Sequence, residues 1–198
     1  YWSTMSNVFY SSTYSEIHGN PDLKPYSYYN VNLMWQIKRR YTLMAFASLK
    51  PDYFVQLPYQ PTDRMAVILK ETNFNYENSF GLQASAIFSA GKWLDGNVYA
   101  VGIYKHSKSD HFFDLSFNRK KLTAVLGGTA SIKFCRTQGL RLILNPFFQS
   151  KVIQGVYDVS PIFKMNAKLQ WTSHDGKWGL RINGNNIFNN KYDTRSVQ

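Results

Sequence analysis

"RKKLTAVLGGTASIKF", Arg119 to Phe134, alternates with a period of two along its length. Leu122, Ala124, Leu126, Gly128, Ala130, Ile132 and Phe134 form one row; Lys121, Thr123, Val125, Gly127, Thr129, Ser131 and Lys133 form the other. Side chains alternate across a strand, so the first row makes an apolar face and the second a mostly polar one. The pattern predicts a β-strand. It leaves open whether the apolar face is sealed inside a globule or turned toward lipid.

Similar rows recur on either side of this stretch. Tyr29, Val31, Leu33, Trp35 and Ile37 form one, and Phe80, Leu82, Ala84, Ala86 and Phe88 another. Leu140, Leu142, Leu144, Pro146 and Phe148 follow, then Phe163, Met165, Ala167, Leu169 and Trp171, then Trp178, Leu180, Ile182 and Gly184. The stretches 41–50 and 93–105 alternate too weakly to assign faces. None of these apolar rows contains a charged residue.

Three features favour lipid. The segments run to ten residues or more, the length of a tilted membrane strand (about 9–11) rather than of a soluble one (about 5–6). Short turns near Lys38–Arg40, Ser89–Lys92, Cys135–Gln138 and Ser173–Lys177 alternate with long polar connections near 51–72, 106–118 and 150–161. Outer-membrane barrels alternate their turns and loops in this way. Finally, Trp35, Tyr41, Trp93, Phe134, Trp171 and Trp178 cluster at the short turns, where amphipathic rings would form an interfacial belt. A Lys or Arg facing lipid at the midplane costs about 2–4 kcal/mol, which explains the uncharged rows. The fold expected is all-β, with about eight antiparallel strands of a transmembrane β-barrel.

Composition agrees. Charged residues are 18% of the 198, below the usual ~25% of soluble domains, while aromatics reach 17%. No apolar run exceeds about the length of "LMAFASL", too short for a membrane helix of ~20 residues. The formal charge of +11 comes from basic residues spread singly or gathered in turns ("KRRY", "RKK", "CRTQ"), which argues against a nucleic-acid partner. One cysteine, Cys135, excludes an internal disulfide framework. The chain begins at Tyr1 without a signal-like stretch, so it is expected to be a piece of something longer.

"GNPDLKP", Gly19 to Pro25, reads as a rigid elbow entering a strand: Pro21 and Pro25 cannot donate to a ladder, and Asp22 can tie down nearby amides. The stretch resembles the "GNP-x-LKP" signature of TonB-dependent outer-membrane receptors, carried here by Gly19, Asn20, Pro21, Leu23, Lys24 and Pro25. Asn73 to His106 is similar to the "NYG-x-S-x-G-L-E" strand and "KW" turn of those receptors, and Ile153 to Trp171 to their "GQY-x-I-x-P-x-Y-x-LD" segment. "NNIFNNKY", with Asn186, Ile187, Phe188 and Asn189, resembles their "NDIFN-x-x-KY" motif. The resemblance, strongest to the outer membrane β-barrel family of Bacteroidetes type, runs from about Tyr14 onward. It implies that 1–198 is the C-terminal portion of a plugged barrel of roughly 22 strands, lacking the plug, the TonB box and the last strand.

The resemblance further implies import of a scarce solute, such as a metal chelate, vitamin or oligosaccharide. Implied partners are outer-membrane lipid, the plug domain of the full-length chain, the TonB complex and the imported solute. A barrel for secretion, assembly or adhesion, and a soluble β-sandwich carbohydrate-binding module, are the alternatives. No catalytic constellation is present, and an enzyme is not expected; nor is a cofactor. His106, Asp110, His111 and Asp114 come nearest to a metal set, but their spacing fits no ligand pattern. Tyr53, Phe54, Tyr59, Phe112, Phe113 and Tyr157 could stack on a solute or pack loops together, and packing is expected.

Overall fold

The computed structural model describes residues 2–63, 65–134, 139–191 and 194–196. In chain order the strands are β1 (Val8–Ser12), β2 (Ser15–His18), β3 (Tyr29–Ile37), β4 (Tyr41–Pro51) and β5 (Phe54–Tyr59). Then come β6 (Val67–Asn73), β7 (Tyr76–Ala90), β8 (Leu94–Phe112), β9 (Leu115–Lys133) and β10 (Arg141–Gln149). The last are β11 (Val152–Gln154), β12 (Tyr157–Val159), β13 (Ile162–Thr172), β14 (Gly179–Gly184) and β15 (Thr194–Ser196). No helix among the described residues is long and apolar enough to cross a membrane.

Eight strands make the main sheet, in the order β14-β13-β10-β9-β8-β7-β4-β3. The eight sequence rows and stretches read as strands all lie in it. Chain neighbours are sheet neighbours except where β5–β6 and β11–β12 are inserted. Around β10 the register is fixed and antiparallel: Leu126 faces Phe148, Phe148 faces Phe163, and Leu169 faces Ile182. Pro146 sits inside β10 without an N–H to give. It is paired with Met165 of β13, and the paired positions toward β9 skip from Leu144 to Phe147.

The long connections differ from expectation. The stretch 106–118 is not a loop: β8 and β9 run through it, and only Phe113 and Asp114 separate them. Lys105, Ser107 and Ser109 fill one face there, so the segment is a strand without an apolar row and loses the signal by which strands are read. The stretches 51–72 and 150–161 likewise contain β5 with β6, and β11 with β12. β5 and β6 join β1 and β2 in a four-stranded sheet, in which β2 and β6 run parallel.

Three of the four short turns fall where the sequence places them. Lys38 and Arg39 both have positive φ (49° and 53°), and Arg40 N donates to Ile37 O at 3.1 Å. That is type I′ geometry, which matches strand twist but favours Asn-Gly over Lys-Arg. Gly91 (φ 57°) turns β7 into β8. Ser173 N donates to Trp178 O at 2.9 Å across the fourth turn. The third, Cys135–Gln138, lies outside the described residues, as does the cysteine it contains.

The chain forms two compact units. One comprises 1–31, 47–80 and 105–121; the other comprises 32–46, 81–104 and 122–198. The first has a small aromatic core. Phe74 and Phe112 are essentially fully buried, with Phe117 beside them at ring distances of 5.0 and 6.2 Å. The second carries most of the alternating rows.

Candidate functional site

The faces of the main sheet are the first functional feature, and they are inverted relative to a soluble protein. Leu122 is 70% exposed and Leu126 49%, whereas Thr123 and Ser131, on the other face of β9, are only 6% exposed. On β7, Phe80 and Leu82 are exposed while Gly81 and Gln83 are half-buried. β8, unassigned from sequence, follows suit: Val98, Ala100, Gly102 and Tyr104 are exposed and Tyr99, Val101 and Ile103 half-buried. Leu142 and Leu169 are half-buried, and the edge strands β3 and β14 are exposed on both faces. One row departs from expectation. The phase slips after Ser85, so that Ile87 is exposed and Ala86 and Phe88 turn partly inward.

The opposite face is tightly fitted. At Gly81 an added Cβ would lie 2.2 Å from Cζ of Phe46, and at Gly127 2.4 Å from the Tyr99 hydroxyl. Each ring fills the space its glycine leaves empty. Thr129 Oγ1 donates to Asn145 Oδ1 at 2.9 Å on the same face.

Within the first unit the same row of β7 and β8 becomes charged. Glu77 is 7% exposed; Lys105 Nζ lies 3.3 Å and Lys50 Nζ 3.6 Å from its carboxylate, and Ser107 Oγ donates to it at 3.3 Å. Lys50 also sits over the Tyr53 ring, 4.6 Å from its centroid. A buried carboxylate held by two ammonium groups is a structural tie, costly to break because the survivors lose their partner. Burial, together with the nearby Glu77 charge and Tyr26, holds the Tyr53 hydroxyl above the usual phenol range.

The elbow is held by asparagines rather than by Asp22. Asn20 is buried, its Nδ2 donates to Glu71 O at 2.8 Å and its Oδ1 accepts from Asp22 N at 3.3 Å. Asp22 itself is exposed. Asn73 completes the tie: Oδ1 accepts from Lys24 N at 2.8 Å, and Nδ2 donates to Lys24 O and Asp52 O at 2.9 and 2.6 Å. Gly19 N donates to Asn7 O at 2.8 Å, and Leu23 is half-buried while Pro21, Lys24 and Pro25 are exposed. Asn73 was missed in the sequence because its partners lie far away in the chain.

The second motif folds back on β13. Ile187 N donates to Met165 O at 2.9 Å, Asn186 N to Asn166 Oδ1 at 2.8 Å, and Asn189 N to Asn186 O at 2.7 Å. Asn186 and Asn189 both have positive φ (47° and 50°), a conformation asparagine tolerates better than most residues. Phe188 stacks on Phe163 at 6.0 Å.

The aromatics flanking the short turns, Trp35, Tyr41, Trp93, Phe134, Trp171 and Trp178, are all exposed, from 37% at Trp171 to 73% at Trp178. The loop aromatics are divided. Phe112 is core, whereas Tyr59 stacks face to face on Phe113 at 4.2 Å and donates its hydroxyl to Asp114 at 2.5 Å. The residues nearest to a metal set take separate partners. His106 Nε2 lies 2.7 Å from Asn118 Oδ1, Asp110 accepts from Asn75 Nδ2 at 2.7 Å, and Asp114 holds Tyr59. No group able to hold a metal ion occurs among the described residues.

A family model described as an outer membrane protein beta-barrel family matches residues 1–198. No curated protein matches the chain, and no solved structure does.

Proposed function

Because the chain belongs to the outer membrane protein β-barrel family and so resides in the outer membrane, we propose that its strands form part of the wall of a TonB-dependent receptor importing a scarce solute. The observation that carries the barrel half of this reading is the inverted alternation, with Leu122 and Leu126 exposed and Thr123 and Ser131 covered. Soluble monomers rarely expose large contiguous apolar patches. What supports the receptor half is the ordered set of motifs, above all "GNPDLKP", whose Asn20 is buried in the first unit.

In this reading the exposed rows contact outer-membrane lipid, and the opposite row faces the lumen and the plug domain of the full-length chain. The TonB complex acts on the plug, and a metal chelate, vitamin or oligosaccharide passes through the lumen. The chain catalyses nothing, needs no cofactor and has no nucleic-acid partner. The test is binding of the full-length protein to the purified periplasmic domain of TonB. Complex formation is expected. Its absence, combined with loss of a surface-exposed or secreted protein on gene deletion, would favour a barrel for secretion, assembly or adhesion instead.

A further inference from the structure

The exposed apolar face of the second unit is not smooth. A groove of about 590 Å³ runs across it from β3 to β13. Small residues line it, Ala84 and Ala100 among them, beside the larger Leu43, Leu126 and Phe148. No charged residue lines it. Its lining residues come from seven neighbouring strands, so at about 4.8 Å per strand spacing it is long enough for an acyl chain, which reaches through half of a ~30 Å hydrocarbon layer.

The two ends of the groove differ. Ile37 and Tyr41 line one end, and these residues flank the turn made by Lys38, Arg39 and Arg40. All three cations are exposed, and among the described residues no carboxylate pairs with any of them. Phe163 lines the other end; it lies at the start of β13, far from the short turn that follows that strand. The groove therefore leads from a cluster of unneutralised positive charge into a wholly apolar channel.

We propose that this groove is a binding site for one anionic phospholipid. The phosphate sits at the Lys38–Arg40 turn, and one acyl chain lies along Ala84 and Ala100. Two arguments select this occupant. The face already contacts lipid in an outer-membrane protein, and no carboxylate among the described residues pairs with the turn. Arg and Lys beside a membrane surface attract anionic headgroups, and the attraction weakens with salt.

The test uses the full-length protein purified in mild detergent and loaded with phosphatidylglycerol or phosphatidylethanolamine of identical acyl chains. Retained lipid is counted by native mass spectrometry after detergent washing. The wild type is expected to retain phosphatidylglycerol preferentially, and to release it as salt rises. Replacing all three turn residues (Lys38→Gln, Arg39→Gln, Arg40→Gln) should lower that preference by more than about tenfold. Ala84→Leu with Ala100→Leu should abolish retention of both lipids, with heat-modifiable gel mobility reporting that the barrel still folds. Equal retention of the two lipids by the wild type overturns the proposal. So does undiminished phosphatidylglycerol retention by the folded turn variant, which depends on no change in the groove.

Discussion

Asn20 shows what a single side chain does in this fold. Its amide closes two hydrogen bonds in a largely dry setting, so Asn20→Ala should cost about 1–3 kcal/mol and expose residues 19–25 to hydrogen exchange. Asp22→Ala, by contrast, should stay within about 0.5 kcal/mol. Equal effects of the two would contradict the assignment. The sequence read the elbow correctly as an elbow and chose the wrong residue to hold it, because Asx side chains are interchangeable on paper and only burial separates them. Tyr53 offers a pH handle. Its pKa is raised in the fold, so the stability it contributes is complete below pH ~10 and is lost as pH rises through the higher folded value. Tyr53→Phe should remove that alkaline component from a pH series of urea midpoints. At the other extreme, Asp175 accepts from Ser173 Oγ at 2.6 Å and from Lys177 N at 3.2 Å, which holds its carboxyl below the usual range. The turn should therefore keep its order until pH falls below ordinary carboxylate values, as amide exchange at Gly176 would report.

Elements explain why some strands were legible and others were not. β9 was plain because its rows differ in chemistry. β8 was not, since Val98 and Ala100 on one face meet Tyr99, Val101 and Ile103 on the other and give no contrast. Its far end, from 106 on, reads as a loop because Ser107, Lys108, Ser109 and Asp110 look solvated, although Ser107 is fully covered. The period-two signal records what a face touches, and a strand polar on both faces has none. The Lys38–Arg39 turn makes a separate prediction. Two non-glycine residues with positive φ are strained there, so Lys38→Asn with Arg39→Gly should stabilise the hairpin by about 1 kcal/mol, read as a higher urea midpoint. The same pair of changes should weaken phosphatidylglycerol retention, which separates the strain of this turn from its charge.

At the scale of the molecule, the central strands β7, β8 and β9 of an eight-stranded sheet carry the outward apolar rows and the covered opposite rows, and membership in an outer-membrane barrel family gives that arrangement its solvent. A charge on the outward row should be costly: Leu126→Arg is expected to lose about 2–4 kcal/mol of folding free energy in bilayers, while Lys121→Ala stays close to neutral. The most direct test of the central claim is spin-label accessibility along β9 in the full-length protein reconstituted in bilayers. Single cysteines would be placed at positions 121 to 126 on a background in which Cys135 and every other cysteine of the full-length chain are replaced by serine. Labels at 122, 124 and 126 should collide with oxygen and be shielded from a water-soluble nickel chelate, with the reverse at 121, 123 and 125. Labels at 122, 124 and 126 that are immobile and shielded from both reagents would mean that this face is packed against protein, and the account would fail.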